Sequence, residues 1–154
     1  AVTLTTCGSN VRELAEELKK SGNYLHSHIV QALALETAEA YAELLHAKLR
    51  SMWGYPDEPG MTMLERFQAR YHGKRYSFGY PACPDLEGQA ILFRLVDAGS
   101  VGVSLTDGFM MEPEASTSAI VFHHPQAKYF ALKPKPAKTC CDGPNSNCGA
   151  ADRV

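Results

Sequence analysis

Apolar residues recur along the chain with two periods, and these periods predict where helices and strands lie. Val2, Leu4 and Thr6 alternate with other residues, which predicts a first strand. Residues 24–52 contain no Gly or Pro and are rich in Ala and Leu, which predicts one helix of about 40 Å at about 1.5 Å per residue. Because apolar positions occur on nearly every side of it, we expect that helix to be buried against several neighbours.

Shorter helices are predicted from start and stop signals. A capping box at residues 10–13 predicts a helix that ends at residues 21–22. A second capping box at residues 62–65 predicts a helix that ends near Gly73. Asp85 is a good N-cap for an amphipathic helix over residues 86–96.

The period becomes that of a strand after about residue 100. Alternation over residues 101–105 and 118–123 predicts strands, and the turn at residues 124–126 predicts a hairpin with residues 129–132. Residues 107–116 mix apolar and acidic side chains, and a connection covering the core is favoured over a ligand or partner contact. The sequence therefore predicts an α+β fold: an antiparallel twisted sheet packed against helices, with one long central helix.

Composition limits the number of domains and the classes of partner. The chain has 154 residues, enough for one domain with a sizeable core. Its 15 basic and 17 acidic residues form no basic run, so we expect no nucleic-acid partner. No apolar stretch is long enough to cross a bilayer and the first residues lack the pattern of a secretory signal, so we expect a cytoplasmic protein without a membrane contact.

Residues 75–85 combine features of a binding loop. Arg75 offers a planar set of donors that matches a carboxylate or phosphate, and Gly79 lets a ligand approach the main chain. Pro81 and Pro84 fix the backbone on either side of Cys83, so the loop would be rigid before a ligand arrives. For Cys83 itself, a structural role is favoured over a catalytic thiol because no base partner is evident.

The run Arg75-x-x-x-Gly79-Tyr80-Pro81-Ala82-Cys83-Pro84 resembles the S-adenosylmethionine-binding signature of the reactivation domain of cobalamin-dependent methionine synthase. Further stretches match that family in the same order over residues 2–132: residues 38–46, 53–55, 105–106, 113–116, 124–125 and 128–130. One matching loop can arise by chance, whereas this ordered series is specific to the family.

The resemblance implies a function in cofactor repair. Members bind S-adenosylmethionine and present its methyl group for reductive re-methylation of inactive cob(II)alamin, which a neighbouring domain of methionine synthase holds. The implied partners are that cobalamin-binding domain and a flavodoxin-like or other reductase. The chain would then be part of a methyltransferase and inactive alone.

The resemblance also implies the residues that bind S-adenosylmethionine, and none of them is a catalytic residue or a metal ligand. They are Glu39, Arg75, Gly79, Tyr80, Ala82, Tyr129 and Phe130. From the residues alone, Glu36, Glu39 and Glu43 share one stripe of the long helix, and we expect Glu39 to be the buried one. Ala69 stands where the family often has an acid, and an aspartate that relatives contribute from an upstream segment is missing.

Two other functions stay open at this point. The chain could be a non-catalytic docking module for the cobalamin domain and the reductase, or a free-standing activator of another corrinoid enzyme. We expect residues 1–133 to form the reactivation domain, lacking its N-terminal part, and residues 134–154 to form a flexible tail. For Cys140, Cys141 and Cys148, incidental thiols in that tail are favoured over a metal cluster because the C-x-x-C spacing is absent.

Overall fold

The structure is a computed structural model that describes residues 1–132. Its α-helices are α1 (Val11–Lys20), α2 (Tyr24–Met52), α3 (Met63–Phe67) and α4 (Gln89–Leu95). Its strands are β1 (Val2–Thr6), β2 (Lys74–Ser77), β3 (Ser104–Leu105), β4 (Met111–Glu112) and β5 (Ser116–Phe122). Two 3-10 turns, Leu86–Gly88 and Ala98–Val101, flank α4. The predicted tail and its three cysteines lie outside the described residues.

The main sheet has three antiparallel strands with β5 in the middle. β1 pairs with one edge of β5, with Val2 opposite Ile120, and β2 pairs with the other edge, with Arg75 opposite Val121. β3 and β4 form a separate two-stranded ladder. α2 contacts both β1 and β5, and α1 packs on α2. The predicted α+β fold with one long helix is therefore confirmed.

Small residues allow α2 to lie close to the sheet. Ala34, Ala38 and Ala42 follow one another at intervals of four, and all three are buried. The Thr5 hydroxyl donates a hydrogen bond to the Ala38 carbonyl at 3.2 Å, which is a direct contact between sheet and helix backbone. Leu33, by contrast, is 60% exposed. The expectation that α2 is buried on nearly every side is therefore wrong for the described residues.

The predicted helix boundaries are only partly correct. Thr62 and Glu65 form the predicted capping box, and the Asp85 carboxylate accepts a hydrogen bond from the Glu87 amide as an N-cap. Asn10 makes no side-chain capping bond, so the first predicted box is wrong. α3 ends at Phe67, six residues before the predicted end near Gly73.

The strand prediction failed at the sheet edge beside β5. Residues 129–132 form no strand, so the predicted hairpin is wrong, and the place beside β5 is taken by β2, which the sequence did not predict. β2 has only four residues, and only Tyr76 among them is buried, so no alternation reveals it. Val101 lies in a 3-10 turn, and the predicted strand there is limited to Ser104–Leu105.

The connection over residues 107–116 covers the core, as the favoured interpretation predicts, because Pro113 and Ala115 are buried. Within residues 1–132 no helix is both long and apolar enough to span a membrane.

Candidate functional site

A cleft of about 240 Å³ opens where α2, β2 and the loop after β2 meet the chain near residue 129. Its lining residues are Glu39, Arg75, Ser77, Tyr80 and Tyr129. Four of the predicted ligand-binding residues are thus brought together from three separate parts of the chain. Ser77 was not predicted, because only the strand geometry of β2 shows that it shares a face with Arg75.

An ion pair forms one side of this cleft. Arg75 Nη2 lies 3.0 Å from Glu39 Oε2, which joins β2 to the middle of α2. The Arg75 side chain is 16% exposed, and its Nη1 atom is buried without a hydrogen-bond partner among residues 1–132. Because Arg75 also lines the cleft, its positive charge would favour a ligand carboxylate there. The Glu39 side chain is 40% exposed, so the expectation that it is buried is wrong.

The loop at residues 79–83 is closed by its own backbone. The Gly79 amide donates to the Cys83 carbonyl, and the Cys83 amide donates to the Tyr80 carbonyl, each at 2.8 Å. These two amides are therefore used within the loop. Gly79 has φ +83°, a conformation that L side chains rarely adopt, so the glycine serves the turn as well as any ligand approach. Ala82 is buried under the loop and does not line the cleft.

Two tyrosine rings, those of Tyr80 and Tyr129, also line the cleft. The Tyr129 ring is roughly parallel to the ring of Tyr76, with centroids 6.1 Å apart. Phe130 packs near the same tyrosine, with its ring centroid 5.6 Å from that of Tyr76, and does not line the cleft. The Tyr76 hydroxyl donates a hydrogen bond to the Lys128 carbonyl at 2.8 Å, which holds this segment on β2. Tyr129 therefore offers an aromatic surface beside a cation and a carboxylate.

A buried polar network lies behind this cleft, at the C-terminal end of α2. Arg50 donates two hydrogen bonds to the Asp57 carboxylate, at 2.7 and 2.9 Å, and its guanidinium carbon lies 3.7 Å from the Tyr71 ring centroid. The Tyr71 hydroxyl donates to Glu43 at 3.1 Å. Sequence reasoning did not find this network, although His46 and Arg50 continue the four-residue spacing of the buried alanines of α2.

The network shifts the pKa values of its members. The Arg50 hydrogen bonds hold the pKa of Asp57 below its ordinary value. Burial, with the Arg50 charge second, lowers the pKa of His46 to about 3, so this imidazole is neutral at physiological pH. Burial and then the Glu43 charge raise the pKa of Tyr71. The network therefore keeps one buried cation, Arg50, beside the carboxylates of Asp57 and Glu43.

The Cys83 thiol fits the structural role that the sequence favours. Burial, followed by the charge of Asp85, raises its pKa, so it is a poor nucleophile. Within residues 1–132, no group of three or more His, Cys, Asp or Glu side chains could hold a metal ion.

A second cleft, of about 550 Å³, adjoins the first and lies between α2 and α3. Its lining includes Glu39 and Arg75, so the ion pair separates the two clefts.

Comparison with known proteins agrees with this architecture. Residues 1–138 match the model of the family described as vitamin B12 dependent methionine synthase, activation domain. The methionine synthases of Mycobacterium tuberculosis and Mycobacterium leprae are 35% and 33% identical to this chain over 133 residues. Each match covers 82% of this chain and 11% of the relative, so the chain spans about a tenth of those proteins.

A solved structure, described as the crystal structure of the MetH reactivation domain bound to AdoHcy, superposes with a TM-score of 0.80 at 35% sequence identity. That match covers 84% of this chain and 41% of the solved one. Since both the family model and the fold extend over most of its length, this chain belongs to the activation domain family of vitamin B12-dependent methionine synthases.

Proposed function

We propose that the chain binds S-adenosylmethionine in the cleft between Glu39, Arg75, Tyr80 and Tyr129, and presents its methyl group for re-methylation of inactive cobalamin. The observation that carries this proposal is the cleft itself, in which the Arg75–Glu39 ion pair places a cation and a carboxylate beside the rings of Tyr80 and Tyr129. The matched reactivation domain is bound to AdoHcy. Because AdoHcy is what S-adenosylmethionine becomes when it loses its methyl group, that complex supports the same ligand class here.

The cleft matches the chemistry of the ligand group by group. The ligand's carboxylate is an acceptor suited to the Arg75 guanidinium, and its amine and sulfonium are positive charges suited to Glu39. The adenine is an aromatic ring that can lie against Tyr129. Complete ligand pockets usually measure about 300 to 1,000 Å³. A cleft of about 240 Å³ therefore holds part of the ligand and leaves the rest open to a partner.

The protein's contribution to the reaction is to bind and orient. Cobalamin held by another domain of the enzyme supplies the cobalt centre that accepts the methyl group, with an electron from a flavodoxin-like or other reductase. Glu39 and Arg75 fix the amino-acid end of the ligand, so the direction of its sulfonium is set before the partner arrives. We place this reaction in the cytoplasm, and the cobalamin-binding domain is the expected partner.

Calorimetric titration of the chain, and of the whole protein that carries it, with S-adenosylmethionine tests the proposal. Arg75→Gln removes the charge and the bidentate donor set, which should weaken binding by about 1.5 to 3 kcal/mol, or roughly tenfold to 150-fold in Kd. Arg66→Gln is the matched control, because Arg66 carries the same charge in the neighbouring cleft and does not line this one. The control should bind the ligand like the unchanged protein.

Equal affinity of the Arg75→Gln and Arg66→Gln variants would remove Arg75 from the site. If neither the chain nor the whole protein binds S-adenosylmethionine, while the chain still binds a separately prepared cobalamin domain, the docking-module function is favoured instead. Circular dichroism of each variant excludes a loss of fold as the cause.

A further inference from the structure

The surface of α2 that faces away from the sheet exposes several large apolar side chains. Its members fall on one side of the helix at about 100° per residue, opposite Ala34, Ala38 and Ala42. We call it the back face of α2, formed by Leu25, Ile29, Leu33, Ala40, Leu44 and Ala47. Leu25 is 70% exposed and Leu44 is 50% exposed. The back face extends for about 33 Å along the helix, at about 1.5 Å per residue.

A helix with apolar residues on two opposite faces is typical of a position between two layers. In α2 the first layer is present, since the alanine face packs on the sheet. Among the described residues, no second layer covers the back face at its N-terminal half. Contiguous exposed apolar surface of this kind marks a site of interaction.

The C-terminal half of the back face forms the floor of a groove. Ala40, Leu44 and Ala47 line the cleft of about 550 Å³, and α3 forms its side through Met63 and Phe67. Both of these α3 side chains point their apolar surface to solvent, with exposures of 65% and 81%. The groove and the exposed stripe together make one track along α2, which is apolar except where Glu36 and Glu43 interrupt it.

Charge along this track identifies the kind of partner. Glu36 lies within the back face, since it is seven residues from Ile29, and it is exposed and forms no salt bridge with the described residues. Glu39 and Glu43 lie near it on the helix but are paired with Arg75 and Arg50, so Glu36 is the one of these three carboxylates that has no cation beside it among the described residues. A second copy packed antiparallel about the middle of α2 would bring its Glu36 close to this one, which is unfavourable. A partner with basic residues at its edge would be attracted.

The matched reactivation domain indicates where such a partner comes from. This chain covers 41% of that solved chain, so more than half of it has no counterpart here. We propose that an amphipathic helix with a basic edge, from the part of the reactivation domain outside this chain, packs on the back face of α2 in the whole protein. This interface does not depend on S-adenosylmethionine.

Maleimide labelling of a cysteine placed at Leu33 tests the interface. Leu33→Cys is made in the whole protein that carries the chain and in the 154-residue chain. Labelling is followed by peptide mass spectrometry, which separates the new site from native cysteines. Glu17→Cys, at an exposed position of α1, is the matched control. We expect labelling of Leu33→Cys in the whole protein to be at least roughly tenfold slower than the control, and similar to it in the 154-residue chain.

The charge of the partner is tested separately. Glu36→Lys in the whole protein should speed labelling of Leu33→Cys, because it places a positive charge against a basic edge, and Glu36→Gln should do so less. Equal labelling of Leu33→Cys and Glu17→Cys in the whole protein overturns the proposal. Protection that appears in the 154-residue chain and grows with its concentration also overturns it, since the occupant would then be a second copy.

Discussion

Replacing Asp57 by asparagine tests whether the buried cation at the end of α2 requires a charged partner. The Arg50 side chain is 1% exposed, and its nearest carboxylate other than Asp57 is that of Glu43, at 3.8 Å. Removing one partner of a buried ion pair costs about 3 to 5 kcal/mol. Asparagine still offers one acceptor, so we expect the free energy of unfolding to fall by an amount near the lower end, about 3 kcal/mol. For a domain of this size that lowers Tm by roughly 6 to 12 °C.

Glu112→Gln provides a control, because its ion pair has the same distance between guanidinium nitrogen and carboxylate oxygen. Arg12 lies 2.7 Å from Glu112, as Arg50 lies 2.7 Å from Asp57, but the side chains of this pair are 62% and 38% exposed. An exposed pair contributes about 0 to 1 kcal/mol. The difference between the two variants therefore measures the effect of burial.

Urea unfolding followed by far-UV circular dichroism at pH 7 gives both free energies of unfolding. Adding Arg50→Met to Asp57→Asn should recover part of the lost stability, because the unpaired buried charge is then gone. If Asp57→Asn lowers the free energy of unfolding no more than Glu112→Gln does, the buried Arg50 does not require a charged partner.

Three further results are expected. Gly79→Ala should lower the free energy of unfolding by about 1 to 2 kcal/mol, since φ is +83° and the new Cβ would lie 3.2 Å from Leu86 Cδ2. Thermal melting measures this loss, and an unchanged Tm would contradict it. Because His46 has a folded pKa of about 3 against an ordinary 6.5, stability should fall as pH drops below about 6.5, by at most about 1.4 kcal/mol per pH unit. His46→Leu should flatten that slope in pH-dependent unfolding, and an unaltered slope argues against His46 as its source. Tyr129→Ala should weaken S-adenosylmethionine binding by about 0.5 to 1.5 kcal/mol in titrations, whereas equal affinity would exclude ring stacking.

Local signals in the sequence were sufficient for some elements. The absence of Gly and Pro over 29 residues predicts α2 with the bounds Tyr24–Met52 that the structure has. The side chains of Thr62 and Glu65 satisfy backbone donors three residues apart, so their helix start depends on no distant contact. The antiparallel sheet and the long helix follow from these elements and from the alternation in β5.

Long-range contacts explain what the sequence could not predict. β2 is defined by its pairing with β5, about 45 residues later in the chain, and four residues carry too little pattern to reveal it. Glu39 and Arg75 are 36 positions apart, and the family resemblance, rather than spacing, indicated that both belong to one site. The exposure of Glu39 depends on how deeply α2 sits on the sheet, which the alanine stripe determines.

The segment that carries Tyr129 has no regular secondary structure, and its position depends on attachments at both ends. The Tyr76 hydroxyl holds it at the Lys128 carbonyl, and the Leu132 amide donates to the Pro81 carbonyl at 2.8 Å. These two bonds tie the aromatic side of the cleft to β2 and to the glycine loop. Substitutions that alter either attachment would move a ligand-facing ring without changing any cleft residue. Substitutions at residues that never contact the ligand can therefore change ligand affinity in this family. Related proteins with identical cleft residues need not bind the ligand equally well.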